Sequence, residues 1–175
     1  IKIIVLNLLF FLTAKYASTE YKGFIYLSLI CFMAINYFLI KNLIFLRHYL
    51  VLIFIFFVTG LLQDTLLIHF KCIDFKNNHI LPPLWIPSLW VLFLGYYGDV
   101  FNKLLHFPIW IMCTLGAIGG SFAYYRGLSL LEVTVAPYFY YIVALVWFVF
   151  MPISLKLFLY FKKIKVSAKN YCLAE

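Results

Sequence analysis

The sequence predicts an all-α protein built as a polytopic membrane helix bundle of about six transmembrane helices, and three observations predict it. Of 175 residues, 66% are AVILMFWYC and only 11% are DEKR, with a mean hydropathy of +1.03. A water-soluble domain is nearer half apolar and a quarter charged, so one core could not hide this much apolar surface. Second, six apolar stretches approach the roughly 20 residues that a helix needs to cross hydrocarbon. Third, most of the charged residues fall between or after those stretches. Lipid offers backbone amides no partner, so each stretch must satisfy its own hydrogen bonds as a helix. The composition argues against a soluble enzyme, a nucleic-acid-binding module and a disordered tail.

In chain order the predicted spans are 3–18, 23–40, 49–69, 83–97, 108–125 and 136–161. The first is expected to be a retained helix rather than a cleaved signal, since only Ala14 and Ala17 offer a weak cleavage site after it. Between the third and fourth spans, residues 71–81 carry Asp74, Lys76, Asn77, Asn78 and His79, which reads as a loop closed by Pro82 and Pro83. The fourth span is short and is expected to run on through Val100; Pro87 would kink or shorten its start. The sixth is long enough to tilt or to emerge as an amphipathic end. Residues 1–161 therefore form one transmembrane domain and 162–175 a basic cytoplasmic tail.

Lys+Arg number 14 against Asp+Glu 6. With six spans, one side holds Lys2, Lys41, Arg47, Lys103, Lys156, Lys162, Lys163, Lys165 and Lys169, and the other Lys15, Lys22, Lys71, Lys76 and Arg126. The excess places both termini in the cytoplasm, and the tail lysines decide it. That tail also suits anionic head groups. Cys31, Cys72, Cys113 and Cys172 show no metal-clamping spacing and read as apolar filler.

Asp64 is the most informative residue. VTGLLQDTLLIHF places a carboxyl near the end of the third span beside Gln63, with Gly60 one turn before it. Such a charge must face protein or water. It reads either as a proton, cation or head-group site, or as a cross-link to Asn7, Asn36, Trp85 or Trp90. Gly116 and Gly120, four apart, let two helices approach closely, with packing inside the bundle the simpler expectation. Tyr124 and Arg126 fall at the same end of the molecule as Asp64; a salt bridge is open to them, and a surface arginine is the simpler case. Trp85 and Trp90, in LPPLWIPSLW, either wall a cavity or anchor the interface. Asp99 and Lys103 read as a helix-end ion pair.

The chain has no HExxH, GxSxG or GxxxxGK[ST], and its four His are scattered; His69, Asp74 and His79 are not taken as a metal site. Catalysis is not expected, no cofactor or metal is expected, and no nucleic acid is expected as a partner.

GLLQDTLLIHF (60–70), LPPLWIPSLWVLF (81–93) and LGAIGGSFAYYRG (115–127) resemble, in order and spacing, the bacterial inner-membrane family called domain of unknown function 2878. The likeness runs from the third span to the fifth; the first span departs from the pattern, with Phe11, Ala14 and Lys15 where a Gln and a Trp are expected. The resemblance implies a compact bundle in the bacterial inner membrane, associated with membrane-lipid modification. The pattern from Gly60 to Asp64 is also similar to one in the rod-shape protein MreD and in substrate-binding subunits of energy-coupling vitamin transporters. Together these readings lead to an expected pocket in the outer half, formed by Asp64, Gln63, Trp85, Trp90, Tyr124 and Arg126. Its ligand is expected to be lipid-like or small and apolar, with membrane lipids or a membrane-protein partner as the binding partners. The alternative is a non-catalytic subunit or scaffold of a membrane-lipid-modifying or envelope complex.

Overall fold

The computed structural model describes residues 2–16, 22–75, 81–96, 107–129 and 133–171. Its architecture is all-α, with six helices among those residues: α1 (Lys2–Tyr16), α2 (Lys22–Ile40), α3 (Leu46–His69), α4 (Trp85–Leu92), α5 (Ile109–Leu128) and α6 (Phe139–Tyr171). A 3-10 turn, Phe93–Tyr96, continues α4. α3 and α6 are each long and apolar enough to cross a membrane. Helix is the outcome that apolar runs dictate, because a helix satisfies backbone groups without borrowing partners from elsewhere.

The ends of the elements follow local chemistry. Phe45 and Pro108 precede α3 and α5 in extended conformation, with ψ of 149° in both. In α4, Pro87 falls in the first turn, where its missing N–H has no intrahelical acceptor to forfeit, and it is fully buried. The expected kink there is not needed, because the proline sits at the helix start. After α3 the chain turns sharply: Lys71 adopts φ 54°, its N–H reaches Ile68 O at 2.9 Å, and the Cys72 N–H reaches Leu67 O at 2.8 Å. This pair of bonds is a Schellman cap that returns the chain across the helix end.

The segment beyond that cap is not wholly the expected loop. Ile73–Phe75 forms β1, which pairs antiparallel with β2 (Val133–Val135) in the register Ile73↔Val135, Asp74↔Thr134, Phe75↔Val133. The Ala136 N–H extends the ribbon to Cys72 O at 2.9 Å. The ribbon ties the end of α3 to the start of α6. The sixth helix is also longer than its expected span: it runs on through the basic tail to Tyr171. Val100, Asp99, Lys103, Lys76 and His79 lie outside the described residues.

The core is a column of Phe56, Leu52, Ile44, Leu94, Phe139, Val143, Leu155 and Phe158, all fully buried. At the end away from the ribbon, Lys165 donates to Lys41 O and, at 3.2 Å, to Ile44 O, while His48 stacks on Phe161 at 4.6 Å. Asn36 fastens the same region, donating to Tyr49 Oη at 3.0 Å and Leu94 O at 3.4 Å, with Tyr49 Oη donating to Met33 O at 3.2 Å. The suggested cross-link from Asn36 to Asp64 is thereby overturned. Fifteen residues separate Tyr49 from Asp64 on α3, which is about 22 Å of helix.

Candidate functional site

The site begins with what Gly60 permits. A Cβ there would lie 2.5 Å from the Trp90 ring, so only glycine lets that indole lie against the α3 backbone. Trp90 in turn stacks on Trp147 of α6 at 4.5 Å with planes 26° apart. Trp147 also meets α5, where a Cβ on Gly120 would come within 2.2 Å of its ring and one on Gly116 within 2.5 Å of Met151 Cβ. Two helix backbones therefore clasp a pair of stacked indoles, with Phe150 set edge-on at 5.1 Å from Trp90. The small residues on α3 and α5 serve packing within the bundle.

This arrangement aims the Trp90 N–H outward from the stack. It donates to Tyr124 Oη at 3.1 Å, and Gln63 Nε2 donates to the same oxygen at 2.9 Å. The Tyr124 hydroxyl donates onward to Asp64 Oδ1. One phenol thus accepts two hydrogen bonds and gives one, fully using its capacity. Four side chains from α3, α4 and α5 converge, and Asp64 is 3% exposed. The second carboxylate oxygen, Oδ2, is buried without a hydrogen-bond partner among the described residues, as are Trp147 Nε1 and Gln63 Oε1. Buried polar atoms ordinarily find partners, so such a set in one place is informative.

A cavity of about 480 Å³ opens beside this network. That lies within the range of small-molecule sites, about 300–1,000 Å³. Asp64, Trp90, Tyr124 and Trp147 stand on its wall, and the rest is mostly apolar: Leu6 and Phe10 of α1, Ile86, Leu89, Leu92 and Phe93, and Leu115, Phe122 and Ala123 of α5. Ile73 of the ribbon closes one end. Asn7 and Tyr96, hydrogen-bonded to each other, complete the polar lining together with Arg126.

Of the residues singled out from sequence, Asp64, Gln63, Trp90 and Tyr124 come together, and Gly60, Gly116 and Gly120 support them. Arg126 does not join. It is exposed at the cavity rim with its guanidinium 5.9 Å over the Phe122 ring, and no bridge to Asp64 is formed. Trp85 opens α4, and its side chain lies outside those described. Asn7, a suggested cross-link for Asp64, pairs with Tyr96 on the cavity wall instead. Trp147 and Tyr96 belong to the site without having been marked by the sequence. The glycine at 120 is the available signal for Trp147, since a gap on one helix calls for a large side chain on its neighbour. Among the described residues no three His, Cys, Asp or Glu cluster as metal ligands; His69 and Asp74 are both exposed.

Against models of known protein families, residues 1–153 match Protein of unknown function (DUF2878). The match includes α1, whose Phe11, Ala14 and Lys15 depart from the expected pattern, and runs into α6 as far as residue 153. No curated protein and no solved structure matches the chain.

Proposed function

The chain belongs to the DUF2878 family, and on its geometry we propose that it is a multi-pass bacterial inner-membrane protein that binds a lipid-like or small apolar ligand in the outer half of its helix bundle. The membrane reading is supported by apolar side chains left outside the core: Leu27, Ile30 and Phe38 on α2, Leu50, Phe54 and Leu62 on α3, and Leu145 and Ile153 on α6 are all more than half exposed. Exposed apolar surface of that extent is stable against hydrocarbon. The segregation of Lys41, Arg47, Lys162, Lys163 and Lys165 at the end opposite the ribbon supports cytoplasmic termini. α4 and its 3-10 turn together reach only about 20 Å, so the count of six crossings is a matter for labelling from each face of the membrane.

One observation carries the binding reading: a buried carboxylate, with Asp64 Oδ2 unpartnered among the described residues, in a side chain that lines a ligand-sized and mostly apolar cavity. A purely structural aspartate would have both oxygens engaged by neighbouring helices. A ligand group that donates a hydrogen bond to Asp64 would satisfy Oδ2.

The test is to purify the full chain in mild detergent and to release and weigh what accompanies it by native mass spectrometry. The wild type should carry a bound small molecule or lipid, and Ala123→Phe, which fills the cavity from α5, should lose it while remaining folded. A stoichiometric protein partner with no bound small molecule in the wild type would overturn the reading in favour of a scaffold or non-catalytic subunit.

A further inference from the structure

The walls of the cavity differ in one respect. Among its lining residues, those that are exposed are Asn7 on α1 and Leu115, Gly119, Phe122 and Arg126 on α5. Every lining residue on α3, the ribbon, α4 and α6 is buried or half-buried, Ile73 at 4% exposure included. Among the described residues the opening is therefore a slot between α1 and α5, in the side of the bundle, while Ile73 of the ribbon stands buried on the wall. A Cβ on Gly119 would meet nothing within 4 Å, so the slot is clear at its middle. Its surroundings are apolar, with Ile118 and Phe122 63% and 58% exposed.

From Leu115 to Arg126 the slot follows eleven residues of helix, about 16 Å, or half the roughly 30 Å thickness of a bilayer's hydrocarbon. Its wall is mostly apolar, Asn7 and Tyr96 add a polar pair, and Asp64 is buried within while Arg126 stands at the rim. An ionised Asp64 has no cation beside it among the described residues, and Oδ2 awaits a donor. A primary ammonium supplies both a compensating charge and N–H groups, whereas a quaternary ammonium has no N–H to give. An anionic linker between head and tail would meet the Arg126 guanidinium.

Resting on the binding reading above, we infer that the cavity is loaded sideways from the lipid phase, between α1 and α5, by an amphiphile with one chain along α5 and a primary-amine head group at Asp64.

The experiment uses the full chain reconstituted with equal amounts of phosphatidylethanolamine and phosphatidylcholine of identical acyl chains, which differ only in whether the head group has N–H donors. The lipid retained after detergent extraction is measured by native mass spectrometry. Phosphatidylethanolamine should be retained roughly tenfold over its partner, as a charge-assisted hydrogen bond implies. Asp64→Asn should remove most of that preference, and Gly119→Trp should slow lipid exchange without unfolding. The wild-type ratio alone tests the head-group chemistry even where Asp64→Asn fails to fold. Equal retention of the two lipids, retention of a molecule with no acyl chain, or unaltered exchange in Gly119→Trp overturns this inference and leaves binding itself intact. A wild-type cavity that retains nothing in any lipid overturns both.

Discussion

Tyr124 shows how much one hydroxyl can hold. Its loss in Tyr124→Phe leaves Gln63 Nε2, Trp90 Nε1 and Asp64 Oδ1 without their present partner. Each buried orphan costs about 1–3 kcal/mol. Allowing for partial rearrangement, Tyr124→Phe should destabilise by about 2–4 kcal/mol and lower the thermal midpoint in detergent by several degrees. Adjacent glycines on α5 supply a second contrast. Gly120→Ala drives a methyl into the Trp147 ring and should cost about 1–3 kcal/mol, while Gly119→Ala meets nothing and should be neutral or stabilising by up to about 1 kcal/mol. Thermal unfolding of the two variants side by side decides the matter; equal midpoints would remove the clasped indoles from the account. Asp64, Gln63, Trp90 and Tyr124 are legible in the sequence because polar groups inside apolar runs must turn toward protein. Trp147 is not: an indole in an apolar run is ordinary, and nothing local tells which distant glycine it will cover. The true partner of Asn36 is hidden for the same reason, since its bond to Tyr49 depends on how α2 and α3 align.

Between elements, the turn after α3 determines where the ribbon lies. Lys71 occupies a left-handed conformation that costs an L-residue about 1 kcal/mol or more and glycine almost nothing. Lys71→Gly should therefore raise stability by about 1 kcal/mol, measured as a higher midpoint with unchanged oligomeric state. Because a lysine sits where turn chemistry favours glycine, the sequence carries no stop signal there, and the three-residue strands are too short for an alternating pattern to stand out. From sequence alone the ribbon is consequently indistinguishable from loop. Opposed residues in an antiparallel pair have Cβ atoms about 4.5–5.5 Å apart, and Asp74 and Thr134 are opposed and both exposed. A disulfide in Asp74→Cys/Thr134→Cys should lock the ribbon without changing the rate of lipid exchange; a slowed exchange would mean that the ribbon, rather than the α1–α5 slot, opens.

The whole bundle has two chemically distinct ends, joined by α3 and α6. Lys165 bridges to Lys41 and Ile44 at one, and Lys71 flanks the ribbon at the other. In a background lacking Cys31, Cys72, Cys113 and Cys172, single cysteines at Lys71 and Lys163 should react with membrane-impermeant maleimide from opposite faces of the membrane. Reaction from one face would show that a crossing is miscounted. The helical class is legible because each apolar run must be self-sufficient in hydrogen bonds. The lengths of α4 and α6 are not, since hydropathy records greasiness and not where a proline-rich entry or a lysine-rich end allows a helix to begin and finish.

Ile73 of the ribbon, 4% exposed, stands on the cavity wall, and lateral loading as inferred above has a consequence for water-soluble compounds. A cavity loaded only from the lipid phase would not admit phosphoethanolamine or another detached polar fragment, however well it matched the carboxylate, so soluble mimics should fail as competitors at concentrations where intact amphiphiles succeed. Inhibitors of such a molecule must first dissolve in the bilayer.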